Sequence, residues 1–281
     1  MKEIRIKAPA KLNLHLQVLN KRSDGYHNIS SLFTIIDFCD SITLKKNEKT
    51  IELEESSPIK DNIVLKAANL LKEQFSVDEG VSITLTKNIP DQKGLGGGSS
   101  DAASVLIGLN KIWELGLSKN ELSVLALELG SDVPFFIHGK TSWAEGRGEI
   151  LSNYPYKERF FLLSFPALKM STKQAFESLP LKKVKALKQS DYTDNKSFNS
   201  FESWIRETNA EMEKQFRKLS TLGKPRLSGT GSTIFIEFNE ENSAKEVLEK
   251  FPHLVFTKSL ERSPLMPVSY THLTLPTKRI V

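Results

Sequence analysis

The chain has 281 residues, of which 39% are hydrophobic and 26% charged, and it carries a net charge of +5 with a single cysteine. A chain of this length and composition can bury a substantial core, which excludes collagen-like, coiled-coil and wholly disordered proteins. The single cysteine excludes an internal disulfide and a multi-cysteine zinc site. Because the start lacks an apolar signal peptide and no run approaches the roughly 18 apolar residues of a membrane span, we expect a cytoplasmic protein with no membrane contact.

The first half of the chain has the pattern of strands followed by helices. Residues 10–18 alternate leucine with polar side chains, which predicts a strand with one apolar and one polar face. The further elements predicted here are strands at 31–38, 41–44 and 50–53, a helix at 63–75, a strand at 81–87, helices at 99–114 and 119–129, and a hairpin made of 135–138 and 142–144.

The second half repeats this order after Pro155. Its predicted elements are a strand at 160–165, helices at 172–179, 201–207 and 209–219, a strand pair around 229–231, a helix at 242–251 and a strand at 254–258. Strands followed by helices, twice over, predict two α+β lobes instead of a doubly wound sheet. We place the lobes at 1–155 and 156–266, and we expect 267–281 to be a non-native, disordered tail because it shows no helix or strand pattern.

A glycine-rich loop is the most informative segment of the sequence. Four of the 15 glycines fall within Gly94–Gly98, between a predicted strand and the start of a predicted helix. Glycines let the backbone approach an anion closely, and the unpaired N–H groups and dipole of a helix start favour negative charge. The loop has neither the Walker A nor the Gly-x-Gly-x-x-Gly spacing, which disfavours a nicotinamide enzyme. It therefore predicts a phosphate-binding loop, with a plain turn capped by Ser99 or Ser100 as the alternative.

Several segments in order along the chain resemble a known superfamily. Residues Pro90–Ala103 (PDQKGLGGGSSDAA) resemble the nucleotide-phosphate loop of the GHMP kinases, which act on galactose, homoserine, mevalonate and phosphomevalonate. Four further segments resemble one family within it, the 4-diphosphocytidyl-2-C-methyl-D-erythritol kinases: Pro9–Leu14, Asp24–His27, Gly130–Phe136 and Ala144–Glu149. Leu227–Ser232 resembles the third motif of the superfamily. The resemblance runs from about residue 1 to 266. It implies a two-lobed fold with an N-terminal α/β lobe of a ribosomal-protein class, a C-terminal ferredoxin-like lobe and an active site between them.

The resemblance implies phosphoryl transfer from ATP to the 2-hydroxyl of 4-(cytidine 5'-diphospho)-2-C-methyl-D-erythritol, a small molecule on the non-mevalonate route to isopentenyl diphosphate. It assigns catalysis to Asp132, which would accept or orient the substrate hydroxyl, and to Lys11, which would neutralise charge on the phosphoryl oxygens. ATP also implies Mg²⁺, for which Ser100 is a candidate ligand beside the substrate phosphates. The residues implied for ATP binding are Pro90, Asp91, Gln92, Lys93, Gly94, Leu95, Gly96, Gly97, Gly98, Ser99 and Ser100.

Four residues are candidates for binding the cytidine-bearing substrate. The resemblance assigns Tyr26 and His27 to the cytidine group, by ring stacking and by hydrogen bonds to the pyrimidine edge. Phe176 occupies a place where relatives carry a second stacking aromatic, although an aromatic side chain on a helix more often belongs to the core. Asn13 shares a strand face with Lys11, and it either binds substrate or bridges strands.

Three alternatives stay open. Another GHMP-type kinase would turn over mevalonate, homoserine or a sugar, and a nucleotide-binding regulator would bind ATP without turnover. A nucleic-acid-binding protein would use the segment 157–196, which holds nine Lys or Arg and four Asp or Glu. No RNA-binding motif accompanies this charge, so we expect no nucleic-acid partner.

Asp91–Lys93 departs from the small residues of relatives, and Lys93 is available to contact phosphate. The sequence predicts neither the metal ligands nor the oligomeric state.

Overall fold

Two sheets, each with its own helices, form the two predicted α+β lobes. The structure, a computed structural model, describes residues 3–56, 61–181 and 185–265. The predicted tail at 267–281 lies outside the described residues. None of the helices in these ranges combines the length and apolar content that a membrane span requires.

The first lobe is built on a six-stranded sheet in the order β3-β4-β2-β5-β6, with β1 paired antiparallel to β2. Its strands are β1 (Glu3–Lys21), β2 (His27–Asn47), β3 (Ile51–Glu55), β4 (Gly80–Thr86), β5 (Ser142–Glu145) and β6 (Ile150–Asn153). Its helices are α1 (Ile63–Gln74), α2 (Gly97–Ile112), α3 (Lys119–Leu129) and α4 (Val133–His138). Side chains fix two of the helix starts: Asn62 caps α1, and Ser118 with Glu121 forms a capping box at α3.

The second lobe is built on a four-stranded sheet in the order β10-β7-β9-β8. Its strands are β7 (Phe160–Ser164), β8 (Pro225–Leu227), β9 (Ile234–Phe238) and β10 (Val255–Lys258). Its helices are α5 (Thr172–Ser178), α6 (Ser200–Thr208), α7 (Ala210–Leu219) and α8 (Glu241–Lys250). The predicted strand pair around 229–231 is confirmed, since β8 and β9 pair antiparallel on either side of this turn.

Strand β1 is longer than the sequence pattern indicates, and both of its faces are buried from Ala8 to Val18. The face predicted to be polar is covered by other parts of the chain. The N–H of Lys11 donates to the carbonyl of Leu95 in the glycine loop, and the N–H of Leu16 donates to the carbonyl of Phe198 in the second lobe, each at 2.9 Å. The polar side chains of β1 therefore lie inside the molecule, where polar groups need partners.

The predicted hairpin strand at 135–138 is wrong, because these residues form helix α4. Pro134 lies in the first turn, where it is compatible with a helix. Phe135 and Phe136 are fully buried, and the Phe135 ring centroid lies 5.0 Å from that of Phe33. Aromatic residues favour strands on average, but packing in the tertiary structure decides here. Strand β5 pairs instead with β6, which the sequence pattern missed.

The two lobes share part of their hydrophobic core. Side chains from β1 and β2 pack in one cluster with side chains from β7 and β9: Ala10, Leu12, Leu14, Leu32, Ile36, Phe161, Leu163 and Phe235. Backbone contacts add to this packing, because the N–H of Leu260 donates to the carbonyl of Ile35 at 2.9 Å and Ile36 forms a β-bridge with Ser259. The lobes are therefore joined by packing as well as by the chain.

Candidate active site

A cavity of about 890 Å³ lies between the two lobes. Its walls come from β1, the turn after β1, the glycine loop, the start of α4, helix α5 and the loop between β8 and β9. Every predicted site residue lines this cavity except Ser100. The structure therefore brings together segments that are far apart in the sequence.

The glycine loop presents an uncapped helix start to the cavity. Helix α2 begins at Gly97, two residues earlier than the sequence pattern indicates, and its N-cap Gly96 has no side chain to bond the first N–H groups. Gly94 and Gly96 have φ angles of +74° and +70°, which glycine adopts without strain. The free N–H groups of the first turn and the helix dipole make this end of the cavity suited to a phosphate.

Gly94 sits where the loop crosses the second lobe. A Cβ atom on it would lie 2.2 Å from the carbonyl oxygen of Ser228. The hydroxyl of Ser228 donates to the carbonyl of Gly94 at 3.0 Å, and the N–H of Asn13 donates to that hydroxyl at 3.3 Å. The loop is thus held between β1 and the turn after β8.

We expect Gly94→Ala to raise the KM for ATP by at least about tenfold, because the new Cβ displaces the loop from Ser228. Gly116→Ala is the matched control, since Gly116 also has a φ of +70° but has open space around it. Steady-state kinetics with ATP as the varied substrate measure the effect. Equal changes in the two variants would show that backbone strain, and not the contact with Ser228, is responsible.

The two serines after the glycines point in different directions. Ser99 lines the cavity, whereas Ser100 lies on the buried side of the first turn of α2. The Ser100 hydroxyl has no hydrogen-bond partner among the described residues. Of the two serines implied for ATP binding, Ser99 alone therefore lies at the cavity surface.

Lys11 and Asp132 meet in the cavity, with 3.6 Å between Nζ and Oδ2. The Lys11 side chain is 5% exposed and that of Asp132 is 35% exposed, so the carboxylate is the more accessible of the two. Nζ of Lys11 also donates to Oδ1 of Asn13 at 2.5 Å and lies 5.0 Å from the ring centroid of Phe33. The ammonium is therefore held by β1 and β2 on one side and faces Asp132 on the other.

The local structure leaves the Asp132 carboxylate free of a capping role. Asp132 is the N-cap of α4, but its side chain makes no capping hydrogen bond. A purely structural turn residue between Gly130 and Pro134 would use its carboxylate to bond backbone N–H groups. The ion pair with Lys11 aims it into the cavity instead.

Asn13 has partners on both ends of its amide. Its oxygen accepts from Lys11, and its nitrogen donates to the hydroxyl of Ser31 at 3.0 Å. Ser31 in turn donates to the carbonyl of His15 at 2.5 Å. Asn13 therefore links β1 to β2 and also lines the cavity, and its binding of substrate stays a prediction.

Aromatic side chains form a further part of the cavity wall. Tyr26 is 48% exposed, whereas His27 is buried with its ring centroid 5.2 Å from that of Phe176. Phe176 also packs edge-on against Phe201 of the core at 4.9 Å. Burial lowers the pKa of His27, with a further contribution from the positive charge of Lys21. A neutral imidazole can donate one hydrogen bond and accept another.

Arg147 is a cavity residue that the sequence interpretation did not assign. Its guanidinium carbon lies 4.6 Å from the ring centroid of Tyr26, in cation–π contact. The loop between β5 and β6 carries it, and the N–H of Arg147 donates to Oε2 of Glu149 at 2.6 Å. Its segment (AEGRGE) contributed to the resemblance, but a charged residue in a turn has no periodicity that would mark it as a site residue.

Lys87 is a second cavity residue that the sequence interpretation did not assign. Its ammonium bonds the carboxylates of Asp40 at 2.5 Å and Asp101 at 2.7 Å, both of which are buried. Burial raises the pKa of Asp101 to about 7 in spite of the Lys87 charge. This cluster bonds the N-terminal part of α2 to β2 and to the end of β4. It thereby stabilises the position of the helix start that follows the glycine loop.

Comparisons with known proteins agree with this geometry. The chain matches the family models for the GHMP kinases N terminal domain, over residues 62–140, and for GHMP kinases C terminal, over residues 183–255. A 4-diphosphocytidyl-2-C-methyl-D-erythritol kinase from Colwellia psychrerythraea is 37% identical, over 95% of this chain and 93% of its own length. One from Buchnera aphidicola is 41% identical, over 94% of this chain and 95% of its own length.

Solved structures agree with the sequence relatives. A crystal structure of 4-(cytidine 5'-diphospho)-2C-methyl-D-erythritol kinase superposes with a TM-score of 0.79 at 28% identity, over 91% of this chain and 99% of that one. A homoserine kinase from Cytophaga hutchinsonii shares the fold, with a TM-score of 0.69 at 17% identity, over 94% of this chain and 96% of that one. The two-lobed fold is thereby confirmed, and the chain belongs to the 4-diphosphocytidyl-2-C-methyl-D-erythritol kinase family of the GHMP kinases.

Proposed function

We propose that this kinase uses ATP to phosphorylate the 2-hydroxyl of 4-(cytidine 5'-diphospho)-2-C-methyl-D-erythritol, giving the 2-phosphate and ADP. Its relatives at 37% and 41% identity are named for this substrate. The observation that carries the proposal is that one cavity contains the open N-terminus of α2, the Lys11–Asp132 pair and a wall of aromatic side chains. Such a cavity suits an alcohol that also bears a pyrimidine nucleotide.

In the proposed reaction, Asp132 receives the proton of the attacking hydroxyl. In the transfer, the substrate oxygen bonds to the γ-phosphorus, the bond from that phosphorus to the bridging oxygen breaks, and ADP leaves with the electron pair. The hydroxyl proton passes to the carboxylate of Asp132, which lines the cavity and has no capping bond. Release of that proton to solvent restores the carboxylate.

Lys11 supplies positive charge at the reacting centre. Its ammonium lies inside the protein beside Asp132, where charge interacts more strongly than in water. Negative charge is spread over the phosphoryl oxygens during the transfer, and a fixed cation stabilises it without reorganisation. Asn13 holds the ammonium in place by accepting one of its hydrogen bonds.

Mg²⁺ bound to ATP would offset the negative charge of the phosphates. Among the described residues, no group of three or more His, Cys, Asp or Glu is arranged to hold a metal. The hydroxyl of Ser99 lines the cavity at the start of α2, whereas the unpartnered hydroxyl of Ser100 lies on the buried side of the same turn. Ser99 would therefore supply the hydroxyl ligand, and a cation there would take most of its ligands from the substrate phosphates.

The aromatic wall is proposed to bind the cytidine group. The Arg147 guanidinium covers the Tyr26 ring, and the exposed remainder of that ring is available to stack on a pyrimidine. His27 and Phe176 form the neighbouring surface. Arg147 also places a positive charge near the diphosphate that the substrate carries.

We expect Tyr26→Ala to raise the KM for the cytidine-bearing substrate by about tenfold or more, because base stacking on an aromatic ring contributes about 1–3 kcal/mol. The KM for ATP should change by less than about twofold. Tyr26→Phe is the control, since it keeps the ring and should retain nearly the original KM. Equal effects of Tyr26→Ala on both substrates would give Tyr26 a structural role instead.

The proposed reaction is tested by measuring ADP release from the purified protein with Mg-ATP and 4-(cytidine 5'-diphospho)-2-C-methyl-D-erythritol. Mevalonate, homoserine and galactose serve as comparison alcohols. We expect turnover with the cytidine compound alone, and the product should carry one additional phosphate on the tertiary carbon oxygen. Turnover of another alcohol in preference would overturn the assignment of substrate.

We also propose the cytoplasm as the compartment, because ATP is the phosphoryl donor and the one cysteine forms no internal disulfide.

A further inference from the structure

The ammonium of Lys93 joins three segments of the chain. Lys93 belongs to the glycine loop, yet it is buried. Its Nζ donates to the carbonyl of Pro166, to the carbonyl of Leu168 at 2.6 Å and to the hydroxyl of Ser232 at 3.1 Å. A lysine ammonium has three donors and no acceptor, so protein oxygens take all three. We call this arrangement of Lys93, Ser232 and the two carbonyls the Lys93 junction.

Ser232 completes the Lys93 junction from the other side. Its hydroxyl donates to the carbonyl of Leu168 at 2.5 Å, and it is fully buried. Ser232 does not line the cavity, whereas Lys93 does. A substitution at Ser232 therefore disturbs the junction without touching a ligand in the cavity.

Backbone bonds tie the same part of the loop to the second lobe. The N–H of Thr233 donates to the carbonyl of Lys93 at 3.2 Å, and the N–H of Met170 donates to the carbonyl of Gln92 at 3.4 Å. Gln92 has a φ of +54°, a left-handed conformation that costs a non-glycine residue about 1 kcal/mol or more. The surrounding contacts must hold such a conformation, and the Lys93 junction is one of them.

Helix α5 of the aromatic wall follows the Lys93 junction in the chain. The segment that supplies the Pro166 and Leu168 carbonyls leads directly into α5, which carries Phe176 into the cavity. Lys93 thus bonds the segment that precedes α5.

We propose that Lys93 is a positioning residue, which sets the first half of the phosphate loop for ATP by bonding it to the second lobe, and that it is not itself a phosphate ligand. The proposal rests on the proposed function for the identity of ATP as the nucleotide. It replaces the expectation that Lys93 contacts phosphate, because such a contact would require a donor that the Lys93 junction already uses.

The test compares Lys93→Met, Ser232→Ala and the double variant with the original protein. Lys169→Met is the matched control, because Lys169 lies exposed on the segment that supplies the carbonyls. The measured quantity is the Kd of a non-hydrolysable ATP analogue with Mg²⁺, by calorimetry on the full chain. It is followed by the KM for each substrate, and thermal unfolding confirms that each variant is folded.

We expect Lys93→Met to raise the Kd about tenfold and Ser232→Ala about threefold, with the double variant no worse than Lys93→Met, since both residues act in one junction. Lys169→Met should stay within about twofold, as is usual for a surface substitution. The KM for the cytidine-bearing substrate should rise far less than that for ATP, which a general loss of folded protein would not produce.

Two results would overturn the proposal. One is an unchanged Kd in Lys93→Met. The other is a raised Kd in Lys93→Met together with an unchanged Kd in Ser232→Ala, which would identify Lys93 as a direct phosphate ligand. If Lys93→Met does not fold, the Kd of Ser232→Ala is decisive: a rise of about threefold supports the proposal, and an unchanged Kd overturns it. The Kd requires no turnover, so it tests Lys93 even if the cytidine compound is not the substrate.

Discussion

Asp132→Asn is expected to lower kcat by about a thousandfold while the KM for ATP stays within about threefold, because general base catalysis contributes roughly 10²–10⁴ in rate. The amide keeps the size of the carboxylate but cannot take the hydroxyl proton. It also removes the negative charge that lies 3.6 Å from Lys11. Steady-state kinetics with Mg-ATP and the cytidine-bearing substrate measure both constants.

The control for this variant is Asp78→Asn, which makes the same chemical change at an exposed position outside the cavity. It should retain the original kcat. An Asp132→Asn enzyme with near-normal turnover would remove Asp132 from proton transfer and leave it the task of orienting Lys11. A similar loss of kcat in both variants would show that the protein preparation, and not the substitution of Asp132, caused the loss.

Lys11→Met should lower kcat by about a hundredfold or more, because removing one preorganised charge from the reacting centre typically costs 10²–10³ in rate. Methionine fills most of the space of the lysine stem, so the packing against Phe33 is largely kept. Asn13 loses the donor to its oxygen, whereas its amide nitrogen keeps the bond to Ser31. The variant is compared with the original protein by kcat and by thermal unfolding.

Lys7→Met provides the matched control for Lys11→Met, since Lys7 lies exposed on the same strand. The double variant of Lys11 and Asp132 should be no slower than the worse single variant, because residues that act as a unit give non-additive losses. Fully multiplicative losses would show that the two side chains act independently.

Local features account for the parts of the site that the sequence predicted well. The glycine loop is recognisable because glycines and a helix start are adjacent in the chain, and the structure places Gly94–Ser99 on the cavity. The approach of Lys11 to Asp132 has no local signal, and only the family resemblance indicated it. The residues that were missed, Arg147 and Lys87, act through partners distant in sequence or through a turn position.

The fold shows the same division between local and non-local causes. Amphipathic helices such as α1 and α3 were predicted almost to the residue, since a cap and a periodic apolar face define each of them. Helix α4 is only six residues long, and its identity depends on burying Phe135 and Phe136 in a core assembled from other segments. The polar side of β1 is covered by the second lobe, which nothing in the strand's own sequence indicates. The domain boundary at residue 155 stays a prediction.

The core shared by β1, β2, β7 and β9 bears on how this chain can be divided and how it acquires its structure. Each large apolar side chain buried there contributes roughly 1.5–3 kcal/mol, and a chain cut between β6 and β7 would forfeit that contribution in both pieces. Neither half then carries a complete interior, so the halves are not modules that could be exchanged between relatives. Because β7 and β9 are made after β1 and β2 during synthesis, the apolar side of the first sheet stays open until the second lobe has left the ribosome. The catalytic cleft is thus among the last features of the molecule to form.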